Sequence, residues 1–119
     1  MNIVVFRRLF KYNTGMQENQ DKGQTKEAAA IAFRELTAVL AKSDDPALIG
    51  EFLACLLTPT EMQEVLTRWA LVREIDAGTT QREIARKLGL SLCKITRGSR
   101  ELKKENSPFK QMIDLYSGS

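Results

Sequence analysis

The sequence predicts an all-α fold: a six-helix subunit that contains a helix-turn-helix. Apolar residues recur at helical spacing in each long segment, and no useful stretch alternates apolar and polar residues as a strand would. Capping patterns precede several of these segments. With 119 residues, 43% of them apolar, the chain has room for one domain, and its small core leaves burial that a partner subunit could supply.

The N-terminal part differs in composition from the rest. Residues 13–27 contain two glycines and many amide side chains, with Met16 as the one large apolar side chain, so we expect residues 1–26 to form a flexible arm and 27–119 the helical domain. Residues 1–12 are amphipathic and basic. They would dock on DNA, fray in solution, or arise from an upstream start codon with Met16 as the true beginning.

Capping residues, prolines and breaks in the apolar pattern predict where the first three helices begin. The first runs from about Lys26 to a break near Lys42, and the second follows Asp45 as N-cap and Pro46 at the first helical position. This second helix is apolar enough to be core on several faces. Thr58-Pro59-Thr60-Glu61 is a capping box that opens a third helix, which ends near Gly78.

A second capping box, Thr80-Gln81-Arg82-Glu83, opens the helix-turn-helix of residues 81 to about 103. Ser91 caps its second helix, and a last short helix covers residues 109–116. The spacing requires small Ala85 where the two helices cross and a positive φ at Gly89. The apolar positions that the pair should bury are Ile84, Leu88, Leu90 and Ile95.

Charge is concentrated on this segment. Residues 81–104 carry eight Lys or Arg against two Glu, a net of +6, although the whole chain is only +3. Such a block is typical of phosphate contact, the alternative being an ordinary solvated helix face. We expect the second helix to enter the major groove of DNA, with Gln81, Arg82 and Arg86 holding the backbone. The DNA-binding set is Gln81, Arg82, Arg86, Leu92, Cys93, Lys94, Thr96, Arg100 and Lys103.

The composition gives little support to other classes of protein, such as enzymes, metal-binding proteins and membrane proteins. The chain has no histidine, and Cys55 and Cys93 stand apart without a CxxC spacing. Nucleophile pairs with histidine and histidine-based metal sites are therefore excluded, and we predict no enzyme, no metal and no cofactor. Two separate thiols favour a reducing cytoplasm. There is no secretory signal pattern and no stretch of membrane-spanning length, so no membrane partner is expected.

Several motifs carry a family resemblance. LLTPTE at 56–61, Arg68 ten residues after Thr58, QREIARKLG at 81–89 and ITRGS at 95–99 resemble the tryptophan repressor family of bacteria, over about residues 27–116. The resemblance implies an intertwined homodimer with a shared core. It also implies a repressor that binds operator DNA when L-tryptophan is bound as corepressor, controlling genes of tryptophan biosynthesis or transport.

The resemblance further implies a ligand site. Arg68 and Arg97 would sandwich the indole ring, and Arg97 and Thr58 would meet the carboxylate, since a guanidinium both stacks on rings and pairs with carboxylates. The backbone carbonyls of Cys55 and Leu57 would receive the ammonium. Val72 and Gly98 would shape the indole slot. The implied ligand positions are Cys55, Leu57, Thr58, Arg68, Val72, Arg97, Gly98 and Glu101.

The sequence departs from the family pattern at three places. Glu101 stands where the family commonly has a small or neutral residue, and it would either pair with the ligand ammonium or repel the carboxylate. The turn at Gly78-Thr79-Thr80 is one residue shorter, and Ala85 replaces a polar or basic residue. The alternative function is a DNA-binding regulator of this type that responds to another ligand or to none. Thr58 as a cap alone, and Trp69 as core or dimer interface, are the plainer interpretations of those two residues.

Overall fold

The computed structural model describes residues 21–118, and within this range all regular structure is helical. The six helices are α1 (Asp21–Lys42), α2 (Pro46–Leu56), α3 (Pro59–Asp76), α4 (Gln81–Leu88), α5 (Leu92–Leu102) and α6 (Pro108–Tyr116). Within residues 21–118, the all-α prediction and the six predicted helices are confirmed. The first helix begins earlier than expected, at Asp21, and residues 1–20 of the predicted arm lie outside the described range.

The chain divides into two compact units, with the boundary between Met62 and Gln63. In the first unit, Asp45 caps α2 as predicted: its carboxylate accepts from the amides of Ala47 at 3.0 Å and Leu48 at 3.3 Å. The expectation that α2 is core on several faces is wrong for the single chain, because no residue of α2 is buried. Leu48, for example, keeps 55% of its surface. The apolar composition made this segment predictable as a helix, but its side chains are buried only where another part of the protein covers them.

The start of α3 is the predicted capping box. The Thr58 amide donates to Glu61 Oε1 at 2.9 Å, and the Glu61 amide donates to Thr58 Oγ1 at 3.1 Å. Each side chain thus satisfies an amide that has no partner within the helix.

The core of the second unit lies under the helix-turn-helix. Leu71 of α3, Ile84 of α4 and Ile95 of α5 are buried together, and the two isoleucines have no exposed surface. Around them pack the partly buried Ile75, Ala85, Leu88 and Leu90. The predicted interior of the helix-turn-helix is therefore confirmed, with Leu88 and Leu90 at its margin.

Local contacts set the turn between α4 and α5. Gly89 caps α4 at φ 63°, in the left-handed region, and Ser91 accepts from the Lys94 amide at 3.4 Å. Both features were predicted. Only half of the second capping box forms: Thr80 accepts from the Glu83 amide at 3.3 Å, but the Glu83 carboxylate pairs with Arg86 one turn later. A charged guanidinium is a stronger donor than a neutral backbone amide.

The C-terminal end of α3 is tied to the helices that follow it. Thr79 Oγ1 donates to Glu74 Oε2 at 2.6 Å, and Lys87 Nζ lies 3.5 Å from Glu74 Oε1. Lys110 of α6 bonds to Asp76 at 3.1 Å. The hydrogen bond from Thr79, with Lys87 nearby, lowers the pKa of Glu74. These contacts link α4 and α6 to one end of α3.

The last helix adds a small apolar anchor. Ser107 is buried at its N-cap, where its hydroxyl accepts from the Lys110 amide at 3.4 Å, and Ile113 is 2% exposed. The guanidinium of Arg73 lies 4.4 Å from the Tyr116 ring centroid, a cation–π contact between α3 and α6. Among the described helices, none is long and apolar enough to cross a membrane.

Candidate ligand cleft and nucleic-acid interface

A cleft of about 600 Å³ opens in the second unit. Its size is in the range of small-molecule sites. Helix α3 and helix α5 supply most of its walls, with the α4–α5 turn and the start of α6 completing it. The lining residues are Gln63, Glu64, Thr67, Arg68, Leu71, Val72, Leu88, Leu90, Lys94, Arg97, Gly98, Glu101 and Phe109.

Five of the eight predicted ligand positions meet in this cleft: Arg68, Val72, Arg97, Gly98 and Glu101. The two arginines come from different helices, α3 and α5, so the fold brings together residues that are far apart in sequence. The other three positions, at 55, 57 and 58, belong to the first unit, at the end of α2 and the start of α3. Of these, Cys55 is exposed and Thr58 is the half-buried cap of α3.

Sequence reasoning missed eight lining residues as ligand positions. Glu64 and Leu71 lie one turn before and one turn after Arg68 on α3, so helical spacing alone was a signal for them. Thr67 adds a hydroxyl that donates to the Gln63 carbonyl at 2.7 Å. Lys94 lies one turn before Arg97 on α5, so the same spacing was a signal for it. The rest, Leu88, Leu90 and Phe109, depend on how later helices pack, which carries no local signal.

Gly98 sets how closely α5 approaches α3. A Cβ at this position would meet the side chains of Leu71 and Ile75. The predicted role of Gly98 in shaping the slot stays a prediction, and the close approach is a physical reason for a glycine there.

Charges of both signs line the cleft. Arg68, Lys94 and Arg97 contribute cations, while Glu64 and Glu101 contribute carboxylates. Glu101 Oε1 accepts from Lys104 Nζ at 2.8 Å. This bond, helped by the positive charges of Arg97 and Arg100, lowers the pKa of Glu101. The cleft therefore holds an ionised carboxylate as well as two guanidinium groups.

All nine predicted DNA-contacting residues are exposed. The five on α5 lie before and after the buried Ile95 in sequence, and Leu92 at the start of the helix keeps 59% of its surface. Lys94 is both exposed and part of the cleft wall. It therefore stands at the edge shared by the two candidate sites.

Of the three α4 residues predicted to contact the DNA backbone, Arg86 already forms an ion pair within the helix. Arg86 Nε donates to Glu83 Oε2 at 3.2 Å. The pairing raises the pKa of Arg86 and lowers that of Glu83. Gln81 and Arg82 are exposed beside the pair. Glu83 thus partly neutralises the surface that α4 presents.

Metal ligands do not cluster in the described range: residues 21–118 contain no group of three or more His, Cys, Asp or Glu placed to hold an ion. Cys55 and Cys93 are both exposed free thiols.

Fold and surface together define a helix-turn-helix protein with a ligand-sized cleft beside its second helix. Residues 32–116 match the family described as Trp repressor protein, and the chain belongs to this family. Membership makes it by class a transcriptional repressor, in a family of regulators rather than of enzymes.

Curated relatives agree with this assignment. The chain is 38% identical over 76 residues to a Trp operon repressor homolog of Xylella fastidiosa (strain M23), covering 63% of this chain and 83% of the relative. It is 38% identical over 89 residues to the homolog of Chlamydia caviae, covering 74% and 88%. For the homolog of Chlamydia trachomatis serovar D, the identity is 34% over 89 residues, covering 74% and 92%. No solved structure matches the chain.

Proposed function

We propose that this protein represses transcription by binding operator DNA as a homodimer when L-tryptophan occupies the cleft. One observation carries the proposal: the two arginines expected to clasp the ligand, Arg68 and Arg97, line the same cleft, and Arg97 lies on the helix expected to read DNA.

The chemistry of the cleft suits an aromatic amino acid. Leu71 and Val72 give an apolar floor, being 5% and 1% exposed, and a planar guanidinium stacks on an indole while pairing with a carboxylate. Lysine in place of either arginine would keep the charge and lose the stacking. Cys55, Leu57 and Thr58 lie in the first unit and stay ligand positions only as the family resemblance implies.

Exposed apolar surface supports the homodimer. Phe33 is 66% exposed, Leu48 55%, Leu66 53% and Leu115 69%. Side chains of this size and exposure are candidates for burial against a second subunit. In the proposed dimer they are part of a shared core, which makes the stability of the protein dependent on its concentration.

Repression follows from linkage between the two sites. The nine exposed residues and the +6 charge of residues 81–104 provide phosphate contacts and base-edge contacts. In the proposed dimer, the α5 helix of each subunit enters a major groove. If L-tryptophan binds more tightly to the conformation that spaces these two helices for successive grooves, it shifts the population toward DNA binding. DNA must then tighten tryptophan binding by the same factor.

The test begins with duplexes selected from a random-sequence pool by the full-length protein, in parallel with and without L-tryptophan. Fluorescence anisotropy on the selected DNA, at one fixed salt concentration, measures affinity. We expect L-tryptophan to tighten binding by about five- to 150-fold, the usual span of allosteric coupling. Arg97→Ala should abolish this effect, while Arg34→Ala, which removes a guanidinium from α1, should retain it. A flat calorimetric titration of the wild-type protein with L-tryptophan would reject the proposal.

A second function is favoured by one observation, the ionised Glu101 in the cleft. The Glu101 carboxylate would repel the carboxylate of L-tryptophan if the ligand bound with that group toward Glu101. In this alternative the protein is a DNA-binding regulator that answers to another ligand or to none. DNA selected with and without L-tryptophan would then be the same and would bind with equal affinity.

A further inference from the structure

We propose that Glu83 limits the sequence-independent part of DNA affinity, because its carboxylate competes with DNA phosphates for the guanidinium of Arg86. The inference rests on the proposed function, which places α4 against the DNA backbone. It deepens that function by naming an acidic residue of the helix-turn-helix that opposes a phosphate contact, and by giving the expected effect on the salt dependence of binding.

The first ground is the geometry of the pair. Arg86 Nε donates to Glu83 Oε2 at 3.2 Å, and Arg86 Nη2 donates to Glu83 Oε1. The carboxylate thus occupies the side of the guanidinium that carries two parallel N–H donors. Arginine binds phosphate with the same two-donor geometry. A DNA phosphate therefore reaches this side of Arg86 only when Glu83 leaves it.

The second ground is charge. The pKa of the Glu83 carboxyl is lowered, chiefly by the hydrogen bond from Arg86, so the group is ionised at neutral pH. The pair then has no net charge, where a lone arginine would carry one positive charge. DNA binding gains free energy from the counterions that are released as phosphates are neutralised. A neutral pair releases fewer of them, so Arg86 adds less to DNA affinity than an unpaired arginine would.

The third ground is exposure. The Arg86 side chain keeps 69% of its surface and the Glu83 side chain keeps 41%, so a phosphate can approach the pair from solvent. Exposed ion pairs are weak, and breaking one costs up to about fivefold in an equilibrium constant. Glu83 therefore weakens the phosphate contact of Arg86 without abolishing it.

The other two cations of α4 provide a comparison. Arg82 is exposed, and among the described residues it has no ion-pair partner. Lys87 Nζ lies 3.5 Å from Glu74 Oε1, but that pair joins α4 to α3, so its removal would also disturb helix packing. Glu83 and Arg86 both belong to α4. Their effect on DNA binding can therefore be measured separately from effects on the fold.

The experiment measures DNA binding of the full-length protein by fluorescence anisotropy over a series of salt concentrations, at one fixed concentration of L-tryptophan. A duplex selected by the protein and a duplex of scrambled sequence are the two probes. Glu83→Gln should tighten binding to both by about two- to fivefold for each subunit on the DNA, since phosphate contacts carry no sequence information. The slope of log affinity against log salt concentration should steepen by about 0.9 for each phosphate gained.

Glutamine is a suitable replacement because it also occurs at this position of a capping box. The hydrogen bond from the Glu83 amide to Thr80 involves the backbone and does not depend on the carboxylate. Glu83→Ala is the second variant, and circular dichroism checks that each protein is folded. Glu35→Gln makes the same change in net charge on α1 and should leave the salt slope at its wild-type value.

A double-mutant cycle tests whether Glu83 acts through Arg86. The gain from Glu83→Gln should disappear in the Arg86→Ala protein. Arg86→Ala should cost more affinity in the Glu83→Gln protein than in the wild type. Arg82→Ala, which removes an unpaired cation from the same helix, should flatten the salt slope more than Arg86→Ala does.

The outcomes separate the two proposals. Equal affinity and slope in the wild type and Glu83→Gln overturn the role of Glu83 and leave the proposed function intact. A gain that persists in the Arg86→Ala protein also overturns it, since Glu83 would then repel the phosphates directly. The same gain in Glu35→Gln reduces the effect to net charge and overturns it as well. A wild-type protein that binds neither duplex rejects the proposed function, and the role of Glu83 with it.

Discussion

Gly98 of α5 faces Leu71 of α3 so closely that a Cβ on the glycine would lie 2.9 Å from Leu71 Cδ2 and 3.3 Å from its Cγ. Leu71 is 5% exposed and belongs to the core formed with Ile84 and Ile95. The contact therefore joins the packing of the helix-turn-helix to the wall of the cleft, because both residues also line that cleft.

The first prediction concerns this contact. Gly98→Ala should lower the free energy of unfolding by about 1–3 kcal/mol, the usual cost of overpacking, because the nearly buried Leu71 side chain has to move away from Ile84 and Ile95 or into the cleft. Affinity for L-tryptophan should fall as well, if the cleft is the corepressor site. Thermal unfolding and calorimetry measure the two effects at one fixed protein concentration.

Gly23→Ala is the matched control, since an added Cβ there has nothing within 4 Å. It should leave the midpoint of unfolding close to the wild-type value. A Gly98→Ala protein as stable as Gly23→Ala would show that α5 accommodates a side chain at the contact, and the predicted constraint would be wrong.

The second prediction isolates backbone conformation. Gly89 has φ 63°, and a Cβ added to it would have nothing within 4 Å. Gly89→Ala therefore meets no steric neighbour and loses only what the left-handed conformation costs, about 1–2 kcal/mol. Gly89→Asn should cost less, since asparagine adopts this region more readily than alanine. Urea unfolding of the two variants gives the comparison. Equal losses for alanine and asparagine would point to a cause other than φ.

The third prediction concerns the two fully buried isoleucines. Ile84→Ala and Ile95→Ala should each destabilise the protein by about 2–5 kcal/mol, and the corresponding valine substitutions by about 0.5–1.5 kcal/mol, because a cavity adds to the lost burial. The measurement is urea unfolding at one protein concentration. The sequence pattern places both residues at the centre of the helix-turn-helix, so alanine losses below about 1 kcal/mol would mean that this core is not the stabilising one.

Features set by neighbours in sequence were predictable. The cap of α2 by Asp45, the capping box of Thr58 and Glu61, and the positive φ of Gly89 depend on a few adjacent residues. The interior of the helix-turn-helix was predictable for the same reason, because its spacing fixes which side chains face inward.

Features that depend on competition or on distant packing were not. The Glu83 carboxylate has two possible donors, the Thr80 amide of the capping box and the Arg86 guanidinium. The capping-box pattern does not specify that Glu83 pairs with Arg86. The burial of α2 depends on what covers it, which apolar composition does not specify. In the cleft, Leu90 and Phe109 are supplied by segments whose packing against α3 has no local signature.

The last prediction uses the pKa of Glu74. The hydrogen bond from Thr79, followed by the charge of Lys87, lowers this pKa below its ordinary value of 4.5. A depressed folded-state pKa contributes stability above the unfolded-state value and loses it as the pH falls through the folded-state value. Glu74→Gln should therefore destabilise the protein near neutral pH, and the difference from the wild type should narrow below about pH 4.5.

Thr79→Val supplies the matched variant, because it removes the hydroxyl that donates to Glu74 at 2.6 Å. In a double-mutant cycle the two losses should be less than additive near neutral pH, since either substitution breaks the same bond. Urea unfolding at neutral and acidic pH, with protein concentration held constant, measures the cycle. A difference between Glu74→Gln and the wild type that widened toward acid pH would contradict the sign of the shift. Full additivity would mean that Thr79 and Glu74 act independently at the α3–α4 turn.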